Sequence, residues 1–403
     1  MTAQFALNPL AGRRTPASDP VALIHVTLSD ERSIRDAASD LYRQARQGRR
    51  AVAVVSGAVE GLARQCDQIG LGAVTAAPHA PALVHEPVVL VPGTGSVRTL
   101  EVDTTHRLRI VIAGCGVVGG GLYFRLVEDP RFDVVGVLVR TASRLRSPQP
   151  DPARVFTQAS DLLATGPDVV IDCLSEAKAG LDLTREALER GISVISANKQ
   201  AIGDQIETLT ALATARNATL ACSAAVGGGA PVIETLLRAK AHGPVARIEG
   251  VLNGTVNFLL NQLCQGCSFG EALADARLRG FAEEDPSSDL EGHDAAAKIT
   301  ILSSLAWGSA PPILATESLT SRTQLPSGPV RQIARADAGC ATISLEPVTD
   351  DTLFADLPDE WNALRVICED GTVFTCSGRG AGRWPTAESV WADLLDLLEA
   401  CIA

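Results

Sequence analysis

The chain has 403 residues, 46% of them apolar and only 4% aromatic, enough for two or three domains with sizeable cores. Its net charge of -12 argues against nucleic acid or an anionic membrane as partner. No apolar run reaches the ~20 residues that span a bilayer, and the N-terminus lacks the basic-then-apolar order of a secretory signal. Ten cysteines are scattered through apolar segments, so a reducing, cytoplasmic setting is expected. One CxxC, Cys264 to Cys267, has no second pair nearby to complete a zinc site.

Residues 1–20 read as disordered. Over 21–92 a strand (21–26), a helix (31–47), a strand (50–55) and a further helix suggest a small α/β segment. The stretch PGTGSV and the polar residues up to 106 read as a linker.

A buried-type strand, RLRIVIA over 107–113, then runs into Gly114-Cys115-Gly116-Val117-Val118-Gly119 and a helical pattern at 120–127. This is GxGxxG between a strand and a helix. The first glycine permits the turn, the second lets pyrophosphate approach, and the third packs helix on strand. The helix N-terminus faces the phosphates. The second strand, 132–139, ends in Arg140, with Arg144 and Arg146 beyond and no carboxylate over 140–150. Arginine there suits a 2′-phosphate, favouring NADP over NAD, against the alternative of a solvated basic loop. Strands at 168–173 and 192–196 flank a helix at 179–190, and the second ends in Ala197-Asn198-Lys199. Ligands of doubly wound sheets sit beyond the strands' carboxyl ends, which makes Lys199 either a site lysine or an ordinary surface one.

A strand at 219–225 is followed by Val226-Gly227-Gly228-Gly229-Ala230-Pro231, backbone open to close approach by a ligand or cation. A helix (232–241) and a strand (246–252) lead to Asn253-Gly254-Thr255, read as a turn offering backbone donors. Helices at 256–264 and 269–279 precede the most distinctive stretch, 280–302. It holds Glu283, Glu284, Asp285, Asp289, Glu291 and Asp294 within twelve positions, then an apolar helix carrying Lys298. Pro286 and two serines argue for a loop, which Gly292 closes. Asp294 and Lys298, four apart, share a helical face. The stretch is either a solvated acidic loop with a surface ion pair, or a site where carboxylates hold an ammonium beside a partly buried, proton-exchanging lysine. Residues 311–337 have no clear period. Strands of an antiparallel sheet are expected at 341–346, 363–368 and 371–377, then a glycine-rich loop, with Thr386 capping a last helix over 387–401.

Taken together, GCGVVG, SANK (196–199), AAVGGGAP (224–231), GVLNGTVNF (250–258), GFAEEDPSSDLEGHDAAAK (280–298) and GAGRWPTA (380–387) resemble homoserine dehydrogenase, over about 107–403. The long acidic motif is specific, and the glycine turn alone is not. The resemblance implies NAD(P)H-dependent reduction of L-aspartate 4-semialdehyde to L-homoserine, on the route to threonine, methionine and isoleucine. It implies an α/β fold: a Rossmann-like parallel-sheet nucleotide domain (107–230) to which a C-terminal helix (386–403) returns, and an α+β substrate and dimerisation domain (231–385), in a homodimer. An N-terminal α/β segment (1–106) lies outside it.

By position in the motifs, Lys298 matches the acid/base lysine, Lys199 a second site lysine touching substrate and cofactor, and Asp294 an aspartate beside Lys298. Glu283 and Asp289 match substrate-holding carboxylates, with Gly254 and Thr255 in a loop near substrate and nicotinamide. Gly114, Gly116, Val117, Val118, Gly119, Arg140 and Gly382 fall to the cofactor. The backbone of Val226 and Gly228 falls to a monovalent cation such as sodium, although Ser223 stands where the family often has an acid. Phe281 replaces a tyrosine of some members, and Arg379 a common proline. The chain ends soon after the last helix, so feedback through an ACT-type domain is not expected. Residues 24–62 faintly resemble the start of an aspartokinase, but His25-Val26-Thr27-Leu28 replaces the phosphate-binding segment. No kinase activity is expected, and association with an aspartokinase is one role for the segment. The rival functions are a reductase of another amino-acid semialdehyde and a non-catalytic partner that keeps the fold.

Overall fold

The computed structural model describes residues 5–6, 21–69, 71, 73–75, 88–92, 107–321, 328–349, 351–380 and 382–402. The stretch expected to be disordered, apart from 5–6, and the expected linker past Pro92 lie outside them. The chain divides into two compact units, 1–103 and 104–403. No helix among the described residues is long and apolar enough to cross a membrane.

In the first unit, β1 (Phe5–Ala6), β2 (Val21–Thr27), α1 (Glu31–Arg46), β3 (Arg50–Ser56), α2 (Val59–Gln68), β4 (Ala73–Thr75) and β5 (Val88–Pro92) follow in turn. The sheet runs β1-β2-β3-β5-β4, parallel except for β1. Asp30 accepts the Ser33 amide at 2.7 Å in a capping box that starts α1, and Leu41 and Leu62 seat α1 and α2 in the core. The sequence reading lacked β4 and β5. The first is three residues long, and the second is bounded by prolines, which read as linker.

The second unit opens with β6 (Leu108–Ala113), α3 (Val117–Glu128), β7 (Phe132–Leu138), β8 (Val155–Phe156), α4 (Ala159–Leu163), β9 (Val169–Asp172), α5 (Ala177–Glu189), β10 (Ser193–Ser196), α6 (Lys199–Ile202), α7 (Ile206–Ala215), β11 (Leu220–Ala221) and α8 (Ser223–Gly227). The sheet is wholly parallel in the order β11-β10-β9-β6-β7-β8. After β6 the chain builds outward through β7 and β8, then crosses to β9 on the other side. The resulting crevice opens at the carboxyl ends of β6 and β9.

A mixed sheet follows, with order β13-β15-β14-β12-β16-β17. Its elements are α9 (Val232–His242), β12 (Val245–Val251), α10 (Gly254–Cys264), α11 (Phe269–Leu278), α12 (Ser287–Leu290), α13 (His293–Trp307), β13 (Ile313–Thr316), β14 (Val330–Ala336), β15 (Ala341–Pro347), α14 (Thr352–Ala355), β16 (Trp361–Cys368) and β17 (Val373–Arg379). One apolar core joins both sheets through α13, with Ile299, Ile301 and Leu302 in the same cluster as Val111 and Val170 on one side and Leu364 and Val366 on the other. The last helix, α15 (Arg383–Ile402), packs on α3 and the parallel sheet: Trp391 meets Phe132 edge-on at 5.4 Å, and Arg125 lies over the Trp391 ring at 3.8 Å.

Several local expectations are corrected. The strand read over 219–225 is only Leu220–Ala221, after which the chain coils into α8, because the Ser223 hydroxyl and amide turn to Asp393 of α15 instead of a neighbouring strand. The segment after Pro286 is a turn of helix, not open loop. The late sheet is mixed, since β13 runs parallel to β15. β14 escaped notice because nearly all its residues are buried, including Arg331 and Gln332, so it shows no alternation. α15 begins at Arg383, so Thr386 lies inside it rather than capping it, with Pro385 in the first turn, where a missing N–H costs nothing.

Candidate active site

The glycine turn lies at the sheet's switch point. Gly114 has φ +90°, and a Cβ there would strike the Cys173 carbonyl at the end of β9. A Cβ on Gly119 would run into the Gly114 carbonyl oxygen, so the turn closes only with glycine at both places. Gly116, by contrast, has nothing within 4 Å of its missing side chain, and it starts α3 without a side-chain cap. The first amides of α3, at Val117 and Val118, therefore lack that partner and border open space, which fits a pyrophosphate. The C-terminal segment joins this rim: Gly382 (φ +115°) precedes Arg383, whose Nε donates to the Val117 carbonyl at 2.9 Å. Arg140 lies two residues past the end of β7 with its side chain 85% exposed, 3.9 Å from Glu176. No carboxylate neighbours it in sequence, but one reaches it from the loop after β9.

The lysines and carboxylates converge between the two sheets. Asn198 caps α6, its Oδ1 accepting the Ala201 amide at 3.2 Å, and so sets Lys199 at the carboxyl end of β10. Gly292, at φ +80°, turns the chain into α13, which carries Asp294 and Lys298 on one face. Lys199 Nζ lies 2.6 Å from Asp294 Oδ1, and Lys298 Nζ lies 3.0 Å from Asp294 Oδ2. Lys298 also donates to the Leu252 carbonyl at 2.7 Å. Asp294 and Lys298 are buried, whereas the Lys199 side chain is 31% exposed. Burial opposes the charge on Asp294, but the two ammonium groups outweigh it and hold its carboxyl well below the usual carboxylate range. Burial likewise works against the charge on Lys199, yet Asp294, with help from Asp289 and Glu283, raises its pKa. Lys199 is thus a cation throughout the neutral range.

The sequence reading missed the residue that ties this cluster together. Asn253 Nδ2 donates to Asp289 Oδ1 at 2.7 Å and to Asp294 Oδ2 at 2.8 Å, while its Oδ1 accepts the Val256 amide and caps α10. Gly254 and Thr255 are accordingly the first residues of a helix rather than a turn of free donors. An asparagine three residues before a helical amide was the available signal. Thr255 Oγ1 donates to the Phe281 carbonyl at 2.6 Å, which holds the acidic segment against α10. Burial raises the Asp289 carboxyl above its ordinary value, although Asn253 works the other way. Glu283 is exposed and lies near enough for its charge to act on Lys199. Phe281 packs edge-on against Phe258 at 5.1 Å, so this wall is apolar.

Val226 is buried in α8, and Gly228 ends that turn at φ +62°. Ser223 brings no carboxylate of its own and is bonded to Asp393, Oγ to Oδ1 at 2.9 Å. Among the described residues no cluster of three or more His, Cys, Asp or Glu could hold a metal ion.

A glycine turn suited to a nucleotide and a lysine–carboxylate cluster thus lie in one compact unit. Residues 114–222 match the family model for the homoserine dehydrogenase NAD-binding domain, and residues 231–395 match that for homoserine dehydrogenase. The Pseudomonas aeruginosa homoserine dehydrogenase is 31% identical over 318 residues, 73% of each chain. That of Sulfurisphaera tokodaii is 29% identical over 309 residues, 73% of this chain and all of the relative. Among solved structures, a Thiobacillus denitrificans homoserine dehydrogenase aligns with a TM-score of 0.63 at 27% identity, over 72% of this chain and 73% of that one. A hyperthermophilic archaeal homoserine dehydrogenase in complex with NADPH aligns at 0.65 and 24%, over 73% and 98%. By both family models and by its relatives, the chain belongs to the homoserine dehydrogenase family.

Proposed function

We propose that this chain reduces L-aspartate 4-semialdehyde to L-homoserine with NADPH, and that Lys199, Lys298 and Asp294 form its proton-handling centre. The carrying observation is one buried carboxylate, Asp294, shared by two lysines from different helices, α6 and α13. Bound reduced NADP supplies the hydride that converts the aldehyde carbon to an alkoxide. Gly114, Gly116, Val117, Val118, Gly119 and Gly382 would shape the seat of its pyrophosphate, and Arg140 would exchange Glu176 for its 2′-phosphate. The alkoxide oxygen requires a positive charge and one proton. An ammonium has three donors, and Lys298 directs two of them at Asp294 and the Leu252 carbonyl. Its third donor, or the more exposed ammonium of Lys199, supplies the proton. Asp289, joined by Glu283, holds the substrate ammonium, and Gly254 and Thr255 line the same wall. The overall balance is one hydride and one proton added across the carbonyl.

The reading extends to a homodimer, to a monovalent cation on the Val226 and Gly228 carbonyls, and to association of the first unit with an aspartokinase, all from the family resemblance alone. A reducing, cytoplasmic setting agrees with nine free cysteines among the described residues.

The test is absorbance of the reduced nicotinamide with purified protein, L-aspartate 4-semialdehyde and NADPH or NADH. Oxidation that needs both substrates, and that falls at least ~100-fold in Lys298→Ala, supports the reading. Wild-type turnover in Lys298→Ala refutes the lysine assignment, and activity only with a different amino-acid semialdehyde refutes the substrate.

A further inference from the structure

Asp172 ends β9 with none of its surface exposed, at the switch-point crevice, and the proposed chemistry makes no use of it. It is the interior carboxylate nearest in sequence to the nucleotide turn's Cys173 wall, and its contacts lead to Lys199. The Leu174 amide donates to its Oδ1 at 2.9 Å, and the Ser196 hydroxyl to its Oδ2 at 3.3 Å. The Asn198 side chain lies beside it, with its Nδ2 donating to the Glu176 carbonyl at 3.2 Å. Ser196 Oγ in turn accepts the Asn198 amide at 3.1 Å, and the Asp172 carbonyl accepts the Ala197 amide at 2.8 Å. Asn198 is the cap of α6, whose first residue is Lys199. Gly180 on α5 leaves room for this cluster, since a Cβ there would stand 2.8 Å from Asp172 Oδ2 and closer still to Asn198 Nδ2.

We propose that Asp172 is a positioning residue for Lys199: by fixing Ser196 and Asn198 it sets the cap of α6, and with it the place of the Lys199 ammonium against Asp294. The inference rests on Lys199 belonging to the site. The groups facing Asp172 are those just past β9 (the Leu174 amide and the Cys173 thiol), the hydroxyl of Ser196 on β10, the Asn198 side chain at α6, and Gly180 on α5. No cation bonds to it. Burial raises its carboxyl from the ordinary 3.8 to about 6, against the pull of Leu174, Ser196 and Asn198. Above that pH the carboxylate accepts the Leu174 and Ser196 bonds as charge-assisted ones, which are stronger than neutral ones. Below it, the arriving proton occupies an acceptor site, and Asn198 is held less firmly.

The experiment is the kcat–pH profile from 5 to 8 at saturating L-aspartate 4-semialdehyde and NADPH, with NADPH binding followed by fluorescence as the check on folding. Wild type should lose activity below about pH 6. Asp172→Asn keeps the shape but turns one acceptor oxygen into an amide donor, so its kcat should be ~10-fold lower at pH 7.5, with little change in KM and without the inflection near 6. Asp289 is also raised by burial and is untouched in the variant, so any limb it gives is common to both proteins and the difference between the two profiles is the readout. Should Asp172→Asn fail to bind NADPH, Asn198→Ala decides, because cutting the link must also remove the Asp172 inflection. A wild-type kcat, or an unchanged inflection in the folded variant, overturns the proposal. Lys199→Ala separates the two levels. If it turns over normally the site reading fails and this inference with it. If it is impaired while Asp172→Asn and Asn198→Ala behave as wild type, only this inference fails.

Discussion

Replacing Asp294 by asparagine keeps the shape of the cluster and removes its one shared charge. The two ammonium groups sit on opposite oxygens of that carboxylate, at 2.6 and 3.0 Å, so in the variant they face each other on the order of 5 Å apart. With an effective dielectric constant of about 20, their repulsion is ~3 kcal/mol. With the pull of Asp294 gone, that repulsion lowers the pKa of Lys199 from its raised wild-type position. Wild-type kcat should be level from pH 7 to 9, because Asp294 raises the pKa of Lys199. In Asp294→Asn, kcat should be lower already at pH 7 and fall a further ~10-fold by pH 9. The assay is NADPH absorbance at saturating semialdehyde, and the variant-to-wild-type ratio is the readout. Removing one member of a buried ionic cluster should also cost about 3 kcal/mol of stability at pH 7, read as a lower urea midpoint. The sign follows from the depressed carboxyl: its stabilisation is full above about 3.9 and lost as pH falls through the lower folded value, so the two proteins should converge in acid. A ratio that stays constant between pH 7 and 9 would show that the lysines do not share Asp294 in catalysis.

Asn253→Ala removes two bonds to carboxylates, each worth about 1.5–3 kcal/mol, and a helix cap. The KM for semialdehyde should rise ~10-fold as Asp289 loses its anchor, and an unchanged KM would separate Asp289 from substrate binding. Gly119→Ala should abolish NADPH binding by fluorescence titration, because its Cβ meets the Gly114 carbonyl. Gly120→Ala, whose nearest neighbour is 3.7 Å away, should bind normally and gain up to about 1 kcal/mol of helix stability. If both glycine variants bind alike, the turn is not what seats the cofactor. Arg140→Ala should raise the KM for NADPH ~10-fold and leave that for NADH alone. Equal effects on both would show that Arg140 serves Glu176 rather than a 2′-phosphate.

What the sequence determined by itself was whatever short-range chemistry writes into neighbouring residues. A strand, GxGxxG and a helix specify a dinucleotide turn because all three glycines act within six positions. Asp294 and Lys298 were paired in advance because 3.6 residues per turn puts positions four apart on one face. The acidic motif pointed to the family, whose two models cover 114–222 and 231–395. The tertiary structure decided what depends on distant residues. Lys199 and Asp294 are 95 positions apart and touch only because α13 bridges the two sheets. Asn253 looked like a turn residue until packing placed Asp289 and Asp294 on its amide. Strand β14 was illegible because a strand covered on both faces has no alternation to read. The coil at Ser223 and the charge on Asp172 have the same cause. Each is set by packing from other elements, the coil by Asp393 on α15 and the raised carboxyl of Asp172 by its burial, and a carboxylate's neighbours in space are not its neighbours in the chain.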